Sequence, residues 1–148
     1  MKSVVVLDAG PLGVLTNPNH TPARQAAGQW LAGLLVAGRR VVLPDASDYE
    51  LRRELLFRRS TQALGRLAWL RTQVEPLTIS SAAMWRAAEL RADARRRGVS
   101  TAPPGALDFD VVLAAQAEAL GGPTLVAAVN VAHLSRFTPA EFWLSIAP

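Results

Sequence analysis

Cysteine is absent from the 148 residues. No disulfide and no thiolate metal site can form, a composition that suits a reducing cytosol. The two histidines, His20 and His133, are too far apart in sequence to make a metal-ligand pair by spacing. No apolar run approaches the roughly 20 residues that a membrane-spanning helix needs. The N-terminal apolar run is short and meets Asp8 at once, so a signal peptide is not expected. No internal repeat, low-complexity tract or domain boundary is visible, and the length suits one domain over 1–148. Lysine is scarce, so almost all of the positive charge is arginine. With 16 Lys+Arg against 12 Asp+Glu the net charge is +4. That balance favours an anionic partner, RNA or DNA first. An arginine-rich protein from a GC-rich genome would have the same composition.

Hydrophobic residues make up 50% of the chain, ample for a core. Their arrangement predicts alternating strands and helices. Val4-Val5-Val6-Leu7 is an unbroken apolar run, the pattern of a strand buried on both faces. It stops at Asp8, and Gly10-Pro11 marks a turn into a short helix. Thr21-Pro22 reads as an N-cap followed by proline at the first helical position. That helix carries Trp30, Leu31, Leu34 and Leu35 to a stop at Gly38. Val41-Val42-Leu43 is a second buried strand, ended by Pro44. A helix starting near Asp45 to Asp48 carries Tyr49, Leu51, Leu55 and Leu56 at helical spacing. Ser60 to Arg71 is another, with Leu64, Leu67, Trp69 and Leu70. Val74 to Ile79 is a weaker strand, interrupted by Pro76. Ser80 or Ser81 caps a long helix through Met84, Trp85, Ala88 and Leu90. It ends in Arg95-Arg96-Arg97-Gly98, cations that suit the helix dipole. A Pro-rich loop is expected over Ser100 to Gly105, then a helix from about Phe109 to Leu120. Thr124 to Val129 is a strong strand ending at Asn130. Val131 to Phe137 is a loop or short helix, and Thr138-Pro139 starts a final helical turn carrying Phe142 and Trp143. This alternation implies an α/β fold with a parallel sheet covered on both faces.

The acids fall where such a fold has a use for them. Asp8 ends the first strand, Glu50 lies early in the helix after the second, and Asp108 and Asp110 open a late helix. Asn130 ends the last clear strand. Carboxyl strand ends and the N-termini of following helices share one sheet edge, so all five side chains can converge there. Clustered carboxylates raise one another's pKa unless a cation neutralises them. Oxygen-only ligands suit Mg²⁺ or Mn²⁺, and such a site hydrolyses phosphodiesters by activating water. Each residue also has a purely structural reading. Asp8 and Asp108 are good N-caps, and Asp110 is a first-turn acid favoured by the dipole. Glu50 fits a surface pattern with Arg53 and Glu54, Asn130 closes a turn, and His133 is a loop or packing residue. Arg52, Arg53, Arg58 and Arg59 crowd one helix, lining an RNA path or solvating a face.

Four segments, taken in order, resemble a known family. Val5-Val6-Leu7-Asp8-Ala9-Gly10-Pro11-Leu12, Asp48-Tyr49-Glu50-Leu51-Arg52-Arg53-Glu54-Leu55, Leu107-Asp108-Phe109-Asp110-Val111-Val112-Leu113-Ala114-Ala115-Gln116-Ala117 and Val129-Asn130-Val131-Ala132-His133-Leu134 are similar to the PIN domain, nearest its bacterial VapC-like branch. The resemblance implies a three-layer α/β/α sandwich with a central, mainly parallel sheet. It implies an Mg²⁺- or Mn²⁺-dependent endoribonuclease that leaves a 5′-phosphate and a 3′-hydroxyl. The family's acids carry over onto Asp8, Glu50 and Asp110, with Asp108 an extra acid as ligand or water-orienting group. On the same resemblance Asp110 is the direct ligand and Asp108 the cap or outer group. Asn130 stands where the family often has another acid, and would position a water or a phosphate oxygen. Ala128 and Val129 stand where a Thr or Ser usually precedes that motif. An antitoxin partner and a homodimer are further implications, the first if the chain is a toxin. The rival expectation is a PIN-fold nucleic-acid-binding or protein-interaction module with little or no nuclease activity.

Overall fold

The computed structural model describes residues 2–98 and 104–148, with the backbone alone for 104–107. Five strands form one sheet: β1 (Val4–Leu7), β2 (Val41–Pro44), β3 (Glu75–Leu77), β4 (Thr124–Ala128) and β5 (Ala140–Phe142). Their order is β3-β2-β1-β4-β5, and every neighbouring pair is parallel. Parallel neighbours need crossovers, and helices supply them. α1 (Ala9–Thr16) and α2 (Pro22–Val36) link β1 to β2, and α3 (Asp45–Phe57) and α4 (Thr61–Gln73) link β2 to β3. α5 (Ser81–Arg96) and α6 (Pro104–Ala119) lead to β4, and α7 (Val131–Leu134) leads to β5.

The two faces of the sheet bury alternate residues, as the strand period requires. Val5, Leu7, Val41, Leu43 and Ala127 pack under α1, α2 and α4, with Leu12, Leu31, Leu34 and Leu67 among their neighbours. Val6, Val126 and Ala128 pack on the other face against Leu113 and Ala117 of α6 and Leu134 of α7. α5 lies on α6 through Ala83, Ala87, Val111 and Ala115. The result is the three-layer α/β/α sandwich implied by the sequence.

Several boundaries and faces differ from expectation. The loop expected at Ser100 to Gly105 falls largely outside the described residues, and α6 already runs from Pro104. Asp108 is therefore inside a helix and caps nothing. On α3, Tyr49 and Leu56 are exposed, and the buried face is Ala46, Ser47, Asp48 and Leu55. On α5, Met84 and Trp85 are exposed while Ala83, Ala87 and Ala94 are buried. Small side chains let α5 and α6 approach closely, and that packing outranks hydrophobicity counted along one helix. The expected last helical turn is instead β5, followed by one 3₁₀ turn at Trp143–Ser145. Val126 donates from its N–H to Pro139 O at 2.9 Å, so β5 satisfies the open side of β4. Trp143 packs edge-on against Trp30, with ring centroids 5.3 Å apart, and the Trp30 indole donates to Ile146 O at 3.0 Å. Pro76 sits in β3 at the margin of the sheet, opposite Leu43, where a missing N–H is tolerated.

Candidate active site

The sheet order reverses direction between β1 and β4: β2 and β3 extend to one side, β4 and β5 to the other. A crevice opens at the carboxyl ends of strands at such a reversal, and ligands of open α/β sheets bind there. Asp8 is the first residue beyond β1 at this point. Its N–H donates to Ala127 O of β4 at 3.1 Å. It occupies the N-cap position of α1, with φ −81° and ψ 167°, yet its side chain makes no capping hydrogen bond. The capping explanation of Asp8 is thus not realised. Proline is harmless in the first turn of α1, where amides have no helical partner. Gly10 is required for a different reason. A Cβ there would lie 2.6 Å from Val129 Cγ2, so only glycine lets α1 start this close to the end of β4.

Glu50 comes from α3, whose first turn is fixed by a buried amide on α6. Gln116 Oε1 accepts from Ala46 N at 3.2 Å, and Gln116 Nε2 donates to Leu77 O at 3.0 Å. The side chain is 1% exposed. One residue thus ties α6 to the start of α3 and to the end of β3. Asp110 lies on the same α6, and is brought to Asp8 and Glu50 by that placement.

The three carboxylates feel one another. Asp8 is pushed up to about 6, first by burial, with the Ala9 amide pulling it back and Asp110 adding repulsion. Glu50 is pushed up to about 7 by burial and then by the charges of Asp8 and Asp110, while Arg53 opposes the shift. Burial raises Asp110 as well, against the pull of His133 and Arg136. Carboxyl groups tuned toward neutrality in a crevice are a functional signature on physical grounds. Among the described residues, no group of three or more His, Cys, Asp or Glu side chains is placed as it stands to hold a metal ion. The trio is a cluster of mutually repelling acids, not a finished coordination shell. Its donors are hard oxygens, the ligand type that Mg²⁺ and Mn²⁺ prefer in general.

Asp108 turns away from them. Residues two apart on a helix are splayed by roughly 200°, and Asp108 points to α5, where its Oδ1 accepts from Arg91 Nε at 3.1 Å. Asn130 is an exposed N-cap residue of α7 with no capping hydrogen bond. Of the four crowded arginines, Arg52 is bound to Asp48, Arg58 to Glu54, and Arg53 alone of the four acts on Glu50. Sequence reasoning misses Arg136 and reads His133 as a loop or packing residue. Both lie on or just after α7, and no spacing rule connects them with Asp110. Gln116 has no role in the sequence reading, although a polar residue inside an apolar helical run is the available signal.

No protein-family model and no curated protein matches the sequence. Solved structures do. The chain is similar to VapBC2 from Rickettsia felis bound to a DNA fragment from their promoter, with 16% identity over 93% of this chain and 97% of that chain and a TM-score of 0.71. DNA-bound VapBC from Salmonella typhimurium gives 18% identity over 96% and 99%, with a TM-score of 0.66. VapBC-1 from nontypeable Haemophilus influenzae gives 16% over 95% and 98%, with a TM-score of 0.67. At these identities the likeness is one of fold: the chain shares the architecture of these VapBC structures, in line with the fold that the resemblance of the four sequence segments implies.

Proposed function

We propose that this chain is a divalent-metal-dependent endoribonuclease of the VapC type, the toxin of a toxin–antitoxin pair. The observation that carries the reading is the meeting of Asp8, Glu50 and Asp110 at the sheet reversal, with Asp8 and Glu50 pushed up to about 6 and about 7. Three acids kept half-buried against their own repulsion serve a cation better than they serve the fold. These three residues would hold Mg²⁺ or Mn²⁺. When bound, the ion supplies a polarised water and neutralises charge at the scissile phosphate. His133 and Arg136 favour the ionised form of Asp110, the form a metal needs. Arg53 does the same for Glu50. The arginine surplus would hold the RNA backbone electrostatically, so binding weakens with salt. The VapBC neighbours support an antitoxin as partner. A homodimer is proposed on the family resemblance alone.

The test is cleavage of RNA by purified protein with Mn²⁺ or Mg²⁺, with EDTA as control. Metal-dependent cleavage that disappears in Asp8→Asn supports the reading. RNA binding without cleavage under either ion supports the binding-module alternative, which the exposed Asn130 in place of an acid favours.

A further inference from the structure

An aromatic pair stands directly beside the acids. Tyr49 precedes Glu50 on α3, and Phe109 precedes Asp110 on α6. Their ring centroids are 5.7 Å apart with planes inclined at 33°. Arg53, one turn beyond Tyr49, places its guanidinium carbon 5.0 Å from the centre of the Phe109 ring. Tyr49 is the only tyrosine in the chain and is 58% exposed. Two flat rings and a guanidinium thus lie together, each ring on the residue next to an acid of the cluster, and Tyr49 is largely exposed to solvent.

We propose that Tyr49, Phe109 and Arg53 form a stacking platform that seats one unpaired base of the RNA strand entering the acid cluster. This rests on the ribonuclease reading above. Every base has a π-face, so an aromatic platform holds a nucleotide without demanding a sequence, and a guanidinium adds attraction to the same plane. Base and phosphate are joined through one sugar. A base on Tyr49 therefore keeps its own backbone near the adjoining Glu50, where hydrolysis would occur. A duplex hides its base faces by stacking them on each other, so it cannot use the platform. A ring pair that merely clasps α3 to α6 would make no such distinction between single strand and duplex.

The experiment uses Asp8→Asn protein in EDTA, to prevent cleavage, and an unstructured RNA oligonucleotide carrying 2-aminopurine. Its duplex with a complementary strand is the comparison. Binding of the single strand should quench the probe, and binding of the duplex should not. Tyr49→Leu, which removes an exposed ring, should weaken single-strand binding about tenfold and abolish the quench. Tyr49→Trp should retain both. Phe109→Leu should behave as Tyr49→Leu, with thermal melting confirming that it folds. Unchanged binding and quenching in Tyr49→Leu would overturn the platform, as would an equal loss on duplex. If the parent protein cleaves RNA with Mn²⁺ but the probe is never quenched, the platform fails and the ribonuclease reading stands. If the parent neither binds nor cleaves RNA, both fail.

Discussion

Helix α3 carries two acids two residues apart, and they have opposite surroundings. Asp48 is the more deeply buried, with its side chain 9% exposed, yet two guanidinium groups hold it. Arg52 donates to its Oδ1 at 2.7 Å and to its Oδ2 at 3.2 Å, and Arg71 donates to Oδ2 at 3.2 Å. Glu50 is less buried, but it faces the charges of Asp8 and Asp110. One acid is neutralised and locks α3 to α4. The other is left among like charges at the crevice. Burial alone does not mark a functional acid; burial together with repulsion does.

The contrast predicts a separation of activity from stability. The largest effect is expected from Asp8→Asn, Glu50→Gln and Asp110→Asn. Each should reduce metal-dependent RNA cleavage at least about a hundredfold, since even groups that only orient metal ligands cost tenfold to a hundredfold when lost. Melting temperature without metal should hold or rise, because repulsion is relieved. Asp48→Asn should do the reverse. It strands two arginines and should lower stability by about 2 kcal/mol, less than the loss of a fully buried pair because Arg52 and Arg71 reach water. Cleavage by the folded fraction should persist. Denaturant titration beside a cleavage assay checks both, and an inactive, stable Asp48→Asn protein would break the contrast.

Acidity sharpens it further. Asp8 and Glu50 bind protons more tightly folded than unfolded, at about 6 and about 7 against ordinary values of 3.8 and 4.5. Between those limits the native state carries the extra protons, so stability falls as pH rises. As far as these two groups decide it, metal-free protein should be most stable below about pH 4 and should lose stability steadily as pH rises to about 7. Melting in EDTA across that range checks the slope. The slope should flatten in Asp8→Asn/Glu50→Gln and remain in Asp48→Asn. The smallest effect is expected at Asp108. Its pair with Arg91 is solvent-exposed, so Asp108→Asn should change stability by no more than about 0.5 kcal/mol and leave metal titrations unaltered. Lost metal binding there would return Asp108 to the site.

The legible part of this fold was the part written in contiguous residues. Val4–Leu7 and Val41–Leu43 declare buried strands by lacking any polar member, and Asp8 is conspicuous because it ends such a run. Thr21-Pro22 and Ser80 announce helix starts locally: Thr21 Oγ1 accepts from Arg24 N and Ser80 Oγ from Ala83 N. What could not be read is decided by neighbours remote in sequence. Ala83 and Ala87 are core because Val111 and Ala115 lie opposite, although Met84 and Trp85 are the more apolar residues. Asp108 lies inside a helix and not at its cap because α6 begins at Pro104, earlier than the start near Phe109 that the sequence suggests. Arg136 acts on Asp110 only because α7 folds back beneath α6. β5 is three residues long and becomes a strand only because β4 is beside it.

Both outer strands of the sheet carry proline at or beside the strand: Pro76 within β3 and Pro139 immediately before β5. Each also presents an acid, Glu75 and Glu141. At the β3 margin a strand arriving from outside would meet the missing N–H of Pro76, one of the features by which natural sheets discourage edge-to-edge growth, while Glu75 there is paired with Arg40. That margin is a poor seed for a further strand, so β3 ends the sheet as well as belonging to it.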